Sequence, residues 1–328
     1  MTAADTRVAV EAGPALAPGP RGRTRRRRTP RRAQAPKHLQ SNLTAYIMIA
    51  PMVVLLGIFV FWPLGYAFWL SGHSINFYLG NEWVGTQFYR YVLTDERFWD
   101  AIKVGLMYAV MVVPTGIVIA LVLAMFIKTL RGRSASVMKT VVYLPAVLSS
   151  VIAAIVFAFM GQDQGLINAA IGVVGIEPIA WLNNPDFALP AVALAGVWLG
   201  LGVSTLILLS ALLDIPESYY ESAALDGASF FQQTWYITIP LLRNVFLYLL
   251  VTGFTLTIQE FQLPLIMTNG GPVGATKTPN LFIFDSFREN TPYSTSFSLA
   301  AALLLFLVLG AISLVIFRLL RSEKAVDA

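Results

Sequence analysis

The stretch ESAALDGASFFQQTWYITIPLL, residues 221–242, decides how this chain is read. It lies between two long apolar runs, yet it is too polar for lipid and too regular for a linker. Just upstream, Asp214 and Glu217 have the spacing of a capping box, and Pro216 suits a first helical turn, which predicts a helix over 215–225. Ala223 and Ala224 are small and let another surface approach closely. Gly227 supplies a turn where positive φ costs little. A second helix is expected over 229–237, closed by Pro240 before the next apolar run. The stretch is therefore a short helical hairpin between two spans. It could lie on lipid, but Glu217, Glu221 and Asp226 with no Lys or Arg suit an anionic leaflet poorly. The better reading is a hairpin made to enter a groove on a partner protein.

The rest of the composition agrees with a membrane setting. Of 328 residues, 56% are hydrophobic and only 12% charged, with a mean hydropathy of +0.67. Soluble domains carry about 25% charged residues. Apolar runs long enough to cross a bilayer recur along the chain, which gives an all-α fold class: a polytopic membrane bundle of six transmembrane helices with a hairpin on one side. The expected spans are residues 43–70, 98–127, 137–160, 187–213, 245–267 and 297–320. There is no cysteine, which excludes disulfides and thiolate metal sites.

The charge distribution orients the bundle. Residues 1–40 include the run RGRTRRRRTPRR, are rich in Pro, and have too few large apolar residues to offset chain entropy. They read as a disordered basic tail that meets anionic lipid and fixes topology, rather than as a nucleic-acid arm or a cleavable leader. Lys128, Arg131, Arg133 and Lys139 fall between the second and third spans, Arg243 between the fourth and fifth, and Arg318, Arg321 and Lys324 at the end. All of these share the side of the tail. Only Arg90, Arg97, Lys103, Lys277 and Arg288, five of the 23 basic residues, lie opposite. That excess places both termini and the 214–242 loop in the cytoplasm. Residues 41–328 then form the transmembrane domain.

Pro51, Pro63, Pro114, Pro145, Pro190 and Pro264 fall within expected spans, where each removes a backbone donor and kinks or ends a helix. GVWLG, residues 196–200, has the small-xxx-small spacing of close helix contact. Catalytic chemistry is missing. His38 and His73 lie on opposite sides of the membrane, so no histidine–carboxylate metal cluster forms, and no serine has a histidine base by spacing. GPVGATKT, residues 271–278, resembles a phosphate loop, but Thr276 stands where a Walker loop needs glycine before the lysine. One acid, Glu260, stands deep in a span, at a cost of roughly 2.5–3.5 kcal/mol on insertion scales. Thr257 shares its helical face, with Gln259 and Gln262 on an adjacent one. The cluster is either an interhelical hydrogen-bond network or a midplane site for a hydroxyl-rich solute, with Phe254, Phe261 and Trp198 as candidates for stacking.

Glu221, Ala223, Ala224, Asp226 and Gly227, then nine residues, then Ile237, Ile239 and Pro240 resemble the "EAA" loop of binding-protein-dependent ABC importer permeases. Ser222 and Ile239 depart from the commonest residues of that loop. The likeness extends over nearly all of the chain after residue 40. AYIMIAP and FWPLGYAFWLS (within 45–71), YLPAVLSSVIAAIVFAFMGQDQGLIN (143–168) and MTNGGPVGAT (267–276) are similar to carbohydrate-uptake permeases of the maltose and glycerol-3-phosphate kind.

The resemblance implies an importer in a bacterial plasma membrane. A second, homologous permease subunit would complete a heterodimer. An ABC ATPase dimer, using ATP and Mg, would receive the hairpins in its grooves. An extracytoplasmic solute-binding protein would deliver a sugar or oligosaccharide. This chain would bind no cofactor and perform no catalysis. Glu221, Ala223, Ala224, Asp226, Gly227, Ile237 and Pro240 would form the coupling surface, and Thr257, Gln259, Glu260, Gln262 and Trp198 are the candidates for the solute pathway. The competing expectation is an ion-coupled secondary carrier that uses Glu260. It would show an inverted repeat, and none is visible.

Overall fold

The computed structural model describes residues 42–76, 80–289, 291 and 293–320. The expected basic tail, residues 1–40, lies outside them. The chain divides into two compact units, Met1–Ile58 and Phe59–Ala328. In the first, helix α1, Asn42–Leu56, has Pro51 inside it and exposes its apolar side chains from Tyr46 onward.

The second unit begins with helix α2, Trp62–Ser71, with Pro63 in its first turn. Strands β1, His73–Asn76, and β2, Gly80–Trp83, follow as a small antiparallel ribbon in which His73 faces Trp83. The sequence pattern did not foreshadow this ribbon. Helix α3 is Gln87–Thr94, and α4 is Glu96–Thr129, the longest among the described residues. Asp95 starts α4 by accepting the Arg97 backbone N–H at 2.9 Å. Helices α5, Gly132–Val147, and α6, Ser150–Met160, are followed by the short α7, Leu166–Gly172. Helix α8 is Pro185–Leu213. It opens with Pro at its first position and with the Asn184 side chain accepting the Asp186 N–H at 2.9 Å.

The loop after α8 holds α9, Glu217–Leu225, and α10, Phe230–Gln233, then a π-helical turn Thr234–Thr238 and the single turn α11, Ile239–Leu241. The remaining helices are α12, Arg243–Ile258; α13, Gln262–Thr268; α14, Pro279–Arg288; and α15, Ser294–Leu320. Four helical stretches are long and apolar enough to span a membrane: Ala45–Ser71, Glu96–Thr129, Pro185–Leu213 and Ser294–Arg318. Two bent pairs raise the number to six if each is one span: Gly132–Val147 with Ser150–Met160, and Phe230–Leu241 with Arg243–Ile258.

The first of those bends and a later break correct two expected spans. The third does not run straight through 137–160, because α5 and α6 meet at 94°. Pro145 weakens the end of α5, Leu148 is extended, and Ser149 caps a new helix by accepting the Val151 N–H at 3.3 Å. The fifth span is not one helix over 245–267 either. It stops at Ile258 and restarts at Gln262.

Helix α4 is the central post. It packs along α8 and α12, while α5 lies against α8 and α13 against α6. One buried cluster joins Tyr108, Val112, Phe157, Val192 and Leu263 across α4, α6, α8 and α13. A second joins Ala120, Ile127, Leu208, Leu212, Leu242 and Leu249 near the hairpin end of α4, α8 and α12. Gly202 makes the α5–α8 crossing close: a Cβ there would sit 2.8 Å from the Tyr143 Cα. The expected small-residue contact at GVWLG is half realised. Gly196 abuts the Tyr108 hydroxyl, but Gly200 has nothing within 4 Å of where its Cβ would be.

Candidate functional site

The first helix of the hairpin begins at Glu217, two residues later than its sequence implied. Asp214 does not form a capping box with Glu217; it stays in helical conformation at the end of α8, its N–H bonded to the Ser210 carbonyl at 3.3 Å. Pro216 instead occupies the cap position of α9, with no side-chain cap hydrogen bond. Helix α9 ends at a tight turn. Gly227 has φ +80°, its N–H bonds the Ala224 carbonyl at 3.1 Å, and the Ala228 N–H bonds the Ala223 carbonyl at 2.9 Å. This paired closure is the Schellman motif, which needs a left-handed residue at the Gly227 position.

The second arm is also rearranged. Ser229 and Gln232 form the capping box: the Ser229 N–H donates to the Gln232 side chain at 2.7 Å, and the Gln232 N–H to the Ser229 hydroxyl at 3.4 Å. The arm then widens into the π turn and runs past the expected end at Ile237. Pro240 does not close it. Pro240 sits inside α11, and the chain bends by 67° only after Leu241.

No residue of α9 is buried. Glu221, Ala224, Asp226, Gly227 and Pro240 are exposed, with Ala223 and Ile237 half-buried. The hairpin also presents large apolar groups: Leu225 is 90% exposed, Phe231 82% and Tyr236 75%. A monomeric surface seldom keeps such a patch free. Sequence reasoning passed over these side chains, although FF and WY in a polar loop were a visible signal.

A second feature is a cavity of about 390 Å³ between α4, α8 and α12. Gly116, Gly196, Gly200 and Gly253 leave it open, and Ser204, Tyr248, Thr252 and Thr257 line it with hydroxyls. No carboxylate or basic side chain lines it. Of the expected pathway residues, only Thr257 reaches it. Ser204, Tyr248 and Thr252 were missed; the fourfold spacing of Tyr248 and Thr252 was the available signal.

Trp198 is on α8, while Gln259, Glu260 and Gln262 stand at the break between α12 and α13, so they do not share the helical faces expected of a continuous span. The Glu260 carboxylate accepts the N–H groups of Gln262 and Leu263 at 2.7 and 3.1 Å, and so caps α13. The Gln259 amide donates to the Thr255 carbonyl at 2.9 Å. The unwound carbonyls are bonded from the loop beyond: Thr278 donates its hydroxyl to the Glu260 carbonyl and Asn280 its amide to the Gln259 carbonyl, each at 2.7 Å. Trp198 lies against Phe157 with ring centroids 5.5 Å apart, and Phe261 against Phe284 at 5.5 Å. The segment 271–278 is a compact turn in which the Thr276 hydroxyl donates to the Gly271 carbonyl at 2.9 Å and is bonded to the Thr268 hydroxyl at 2.6 Å. Among the described residues no group of three His, Cys, Asp or Glu is arranged to hold a metal ion.

Residues 96–324 match the model of a family described as the binding-protein-dependent transport system inner membrane component. The chain belongs to this family. The permease is 31% identical over 255 residues to the trehalose/maltose transport system permease protein MalF of Thermococcus litoralis, covering 77% of this chain and 85% of that one. It is 30% identical over 295 residues to the lactose transport system permease protein LacF of Rhizobium radiobacter, covering 86% and 96%. It is 30% identical over 281 residues to the sn-glycerol-3-phosphate transport system permease protein UgpA of Yersinia pestis, covering 83% and 92%. Its fold is that of a chain in the crystal structure of a bacterial ABC transporter involved in the import of the acidic polysaccharide alginate. The TM-score is 0.72 at 22% identity, over 88% of this chain and 98% of that one. The permease is thus an inner-membrane transport component and not an enzyme.

Proposed function

We propose that the permease forms one half of the membrane pathway of an ATP-driven importer for a sugar or oligosaccharide. In this reading a second, homologous permease subunit completes the pathway and a solute-binding protein delivers the cargo from outside. An ATPase dimer, which holds ATP and Mg, takes residues 214–242 into its groove. The observation that carries the reading is the hairpin: a helix with no buried residue, closed by a Schellman turn and flanked by exposed Leu225, Phe231 and Tyr236. Glu221, Ala223, Ala224, Asp226 and Gly227 are its contact edge, with Ile237 and Pro240 shaping the return arm. The excess of Lys and Arg on one side supports a cytoplasmic hairpin and cytoplasmic termini.

The cavity between α4, α8 and α12 supports a neutral, hydroxyl-rich cargo, because hydroxyls rather than charges line it. Thr257, Ser204, Tyr248 and Thr252 face the cargo, while Gln259, Glu260, Gln262 and Trp198 shape the walls. The relatives named for trehalose/maltose and for lactose point the same way.

Two measurements test the proposal. The purified permease co-expressed with its genomic neighbours should retain an ATPase through washing, and Glu221→Lys should release it. Calorimetry of the neighbouring solute-binding protein against a carbohydrate panel should give a sugar ligand. An ion-driven uptake by the permease alone in liposomes would overturn the reading.

A further inference from the structure

A helix that receives force is useful only if something stiff carries its motion into the bundle. Helix α9 is attached to its neighbours sparsely, and one side chain dominates the attachment. Tyr220 is the α9 residue packed against the buried cluster at the ends of α4, α8 and α12. The Lys128 ammonium, from the last turn of α4, sits 4.5 Å from the centre of the Tyr220 ring. The same ammonium donates to the Leu212 carbonyl at 3.2 Å, in the last turn of α8. There it meets the negative end of the α8 dipole and bonds a carbonyl that has no intrahelical partner. On its other side the Tyr220 hydroxyl is hydrogen-bonded to the Thr238 hydroxyl at 3.0 Å, and Thr238 is 3% exposed in the π turn leading to α12.

We propose that Lys128 and Tyr220 form the mechanical joint of the permease: positioning residues that convert a displacement of α9 into movement of α4, α8 and α12 together. One cation and one ring link four elements, and the three membrane helices they reach are those that bound the hydroxyl-lined cavity. A cavity of about 350 Å³, bounded by Met125, Lys128, Glu217, Tyr220 and Thr234, lies beside the joint and gives α9 room to move. The π turn is a natural hinge, since such widened turns are inserted where a helix must yield. A cation over an aromatic face suits a moving joint, because it tolerates sliding better than a directional hydrogen bond yet resists separation. The inference rests on the reading that α9 docks an ATPase.

The test uses the whole importer, reconstituted in liposomes with its ATPase, partner permease and solute-binding protein, and reads three quantities: ATPase retained, ATP hydrolysed, and solute moved per ATP. Lys128→Ala should keep the ATPase bound and hydrolysing, while solute per ATP falls about tenfold, the equivalent of ~1.4 kcal/mol of lost coupling. Lys128→Arg, which keeps a cation over the ring and a donor to Leu212, should restore it to within about twofold. Tyr220→Phe keeps the ring and loses only the Thr238 bond, so it should fall by about threefold. The joint is overturned if Lys128→Ala leaves solute per ATP unchanged, if Lys128→Arg is as defective as the alanine variant, or if Lys128→Ala sheds the ATPase. Failure of the wild-type permease to hold any ATPase would instead overturn the docking reading itself.

Discussion

Replacing Gly227 isolates a single physical cost. Its φ of +80° lies in the left-handed region, and nothing stands within 4 Å of the position its Cβ would take. A side chain there meets no neighbour, so the penalty is that of the backbone alone, roughly 1–2 kcal/mol for an L-residue other than glycine. Asn tolerates the conformation better than Ala, and a β-branched residue tolerates it worst. The penalty falls on the closure of α9, where the Ala228 N–H reaches the Ala223 carbonyl and the Gly227 N–H reaches the Ala224 carbonyl. One to two kcal/mol shifts a local open–closed ratio by about 5- to 30-fold. Hydrogen exchange at the Ala228 amide should therefore quicken by that factor in Gly227→Ala, by less in Gly227→Asn, and by more in Gly227→Val. Melting of the membrane helices should stay put, because Gly227 is exposed and a side chain there would touch none of them. Equal exchange in glycine and alanine forms, or a rank in which valine is milder than asparagine, would refute the idea that the turn is a left-handed cap.

Three further outcomes follow from single contacts. Gly200→Leu should fold, since no atom lies within 4 Å of its Cβ position, but should fill the cavity between α4, α8 and α12; solute uptake is expected to fall more than tenfold with the ATPase still bound, and uptake at the wild-type rate would refute the cavity as pathway. Thr278→Val removes the hydroxyl that satisfies the Glu260 carbonyl, which should cost about 1–3 kcal/mol, read as a lower melting temperature in detergent micelles. Asp95→Asn keeps the cap of α4 but loses the ion pair with Arg97, worth about 0.2–1 kcal/mol. Partial burial pushes the Asp95 carboxyl up, but the side-chain and backbone hydrogen bonds from Arg97 and its charge outweigh that and hold it below its ordinary 3.8. The ion-pair stability is therefore present above that ordinary value and fades as pH falls through the lower folded one. Melting curves of wild type and Asp95→Asn should differ at pH 7 and converge as acid protonates the Asp95 carboxyl, below its ordinary 3.8; a gap independent of pH contradicts the assignment.

The long helices were readable because their signal is local. Hydropathy windows find α4, α8 and α15 to within a few residues at either end, since each is apolar for longer than a bilayer is thick. The prolines marked where spans could kink, but which of them bend and by how much was not readable, because hydropathy carries no direction. Residues 137–160 are apolar for most of their length, yet the chain turns by 94° where Pro145 and the Ser149 cap allow a new helix to start. The break at 259–261 is set by residues far along the chain: Thr278 and Asn280 lie 18 and 21 residues from the carbonyls they satisfy. The hairpin was legible as a hairpin, with Gly227 at its turn, but its caps were misassigned. Asp214–Glu217 and Ser229–Gln232 both have the spacing of a box, and only the second forms, because Asp214 is still held in the last turn of α8.

The fate of Glu260 shows how an expensive residue can be structural and still shape a pathway. An acid at this depth needs partners that hold its charge, and the first N–H groups of a helix are such partners. α13 starts two residues after Glu260, so the carboxylate finds the N–H groups of Gln262 and Leu263 without any other chain segment. That local capture requires α12 to stop, which frees the carbonyls of Gln259 and Glu260. The turn after α13 then returns Thr278 and Asn280 to them. Acid, break and returning loop satisfy one another, and removing any one leaves a polar group of another without its partner. The consequence reaches the cavity. With the carboxylate engaged in capping α13, the polar lining left between α4, α8 and α12 is the neutral set Ser204, Tyr248, Thr252 and Thr257. A surface of that kind favours solutes that exchange hydroxyl for hydroxyl over those that need a countercharge.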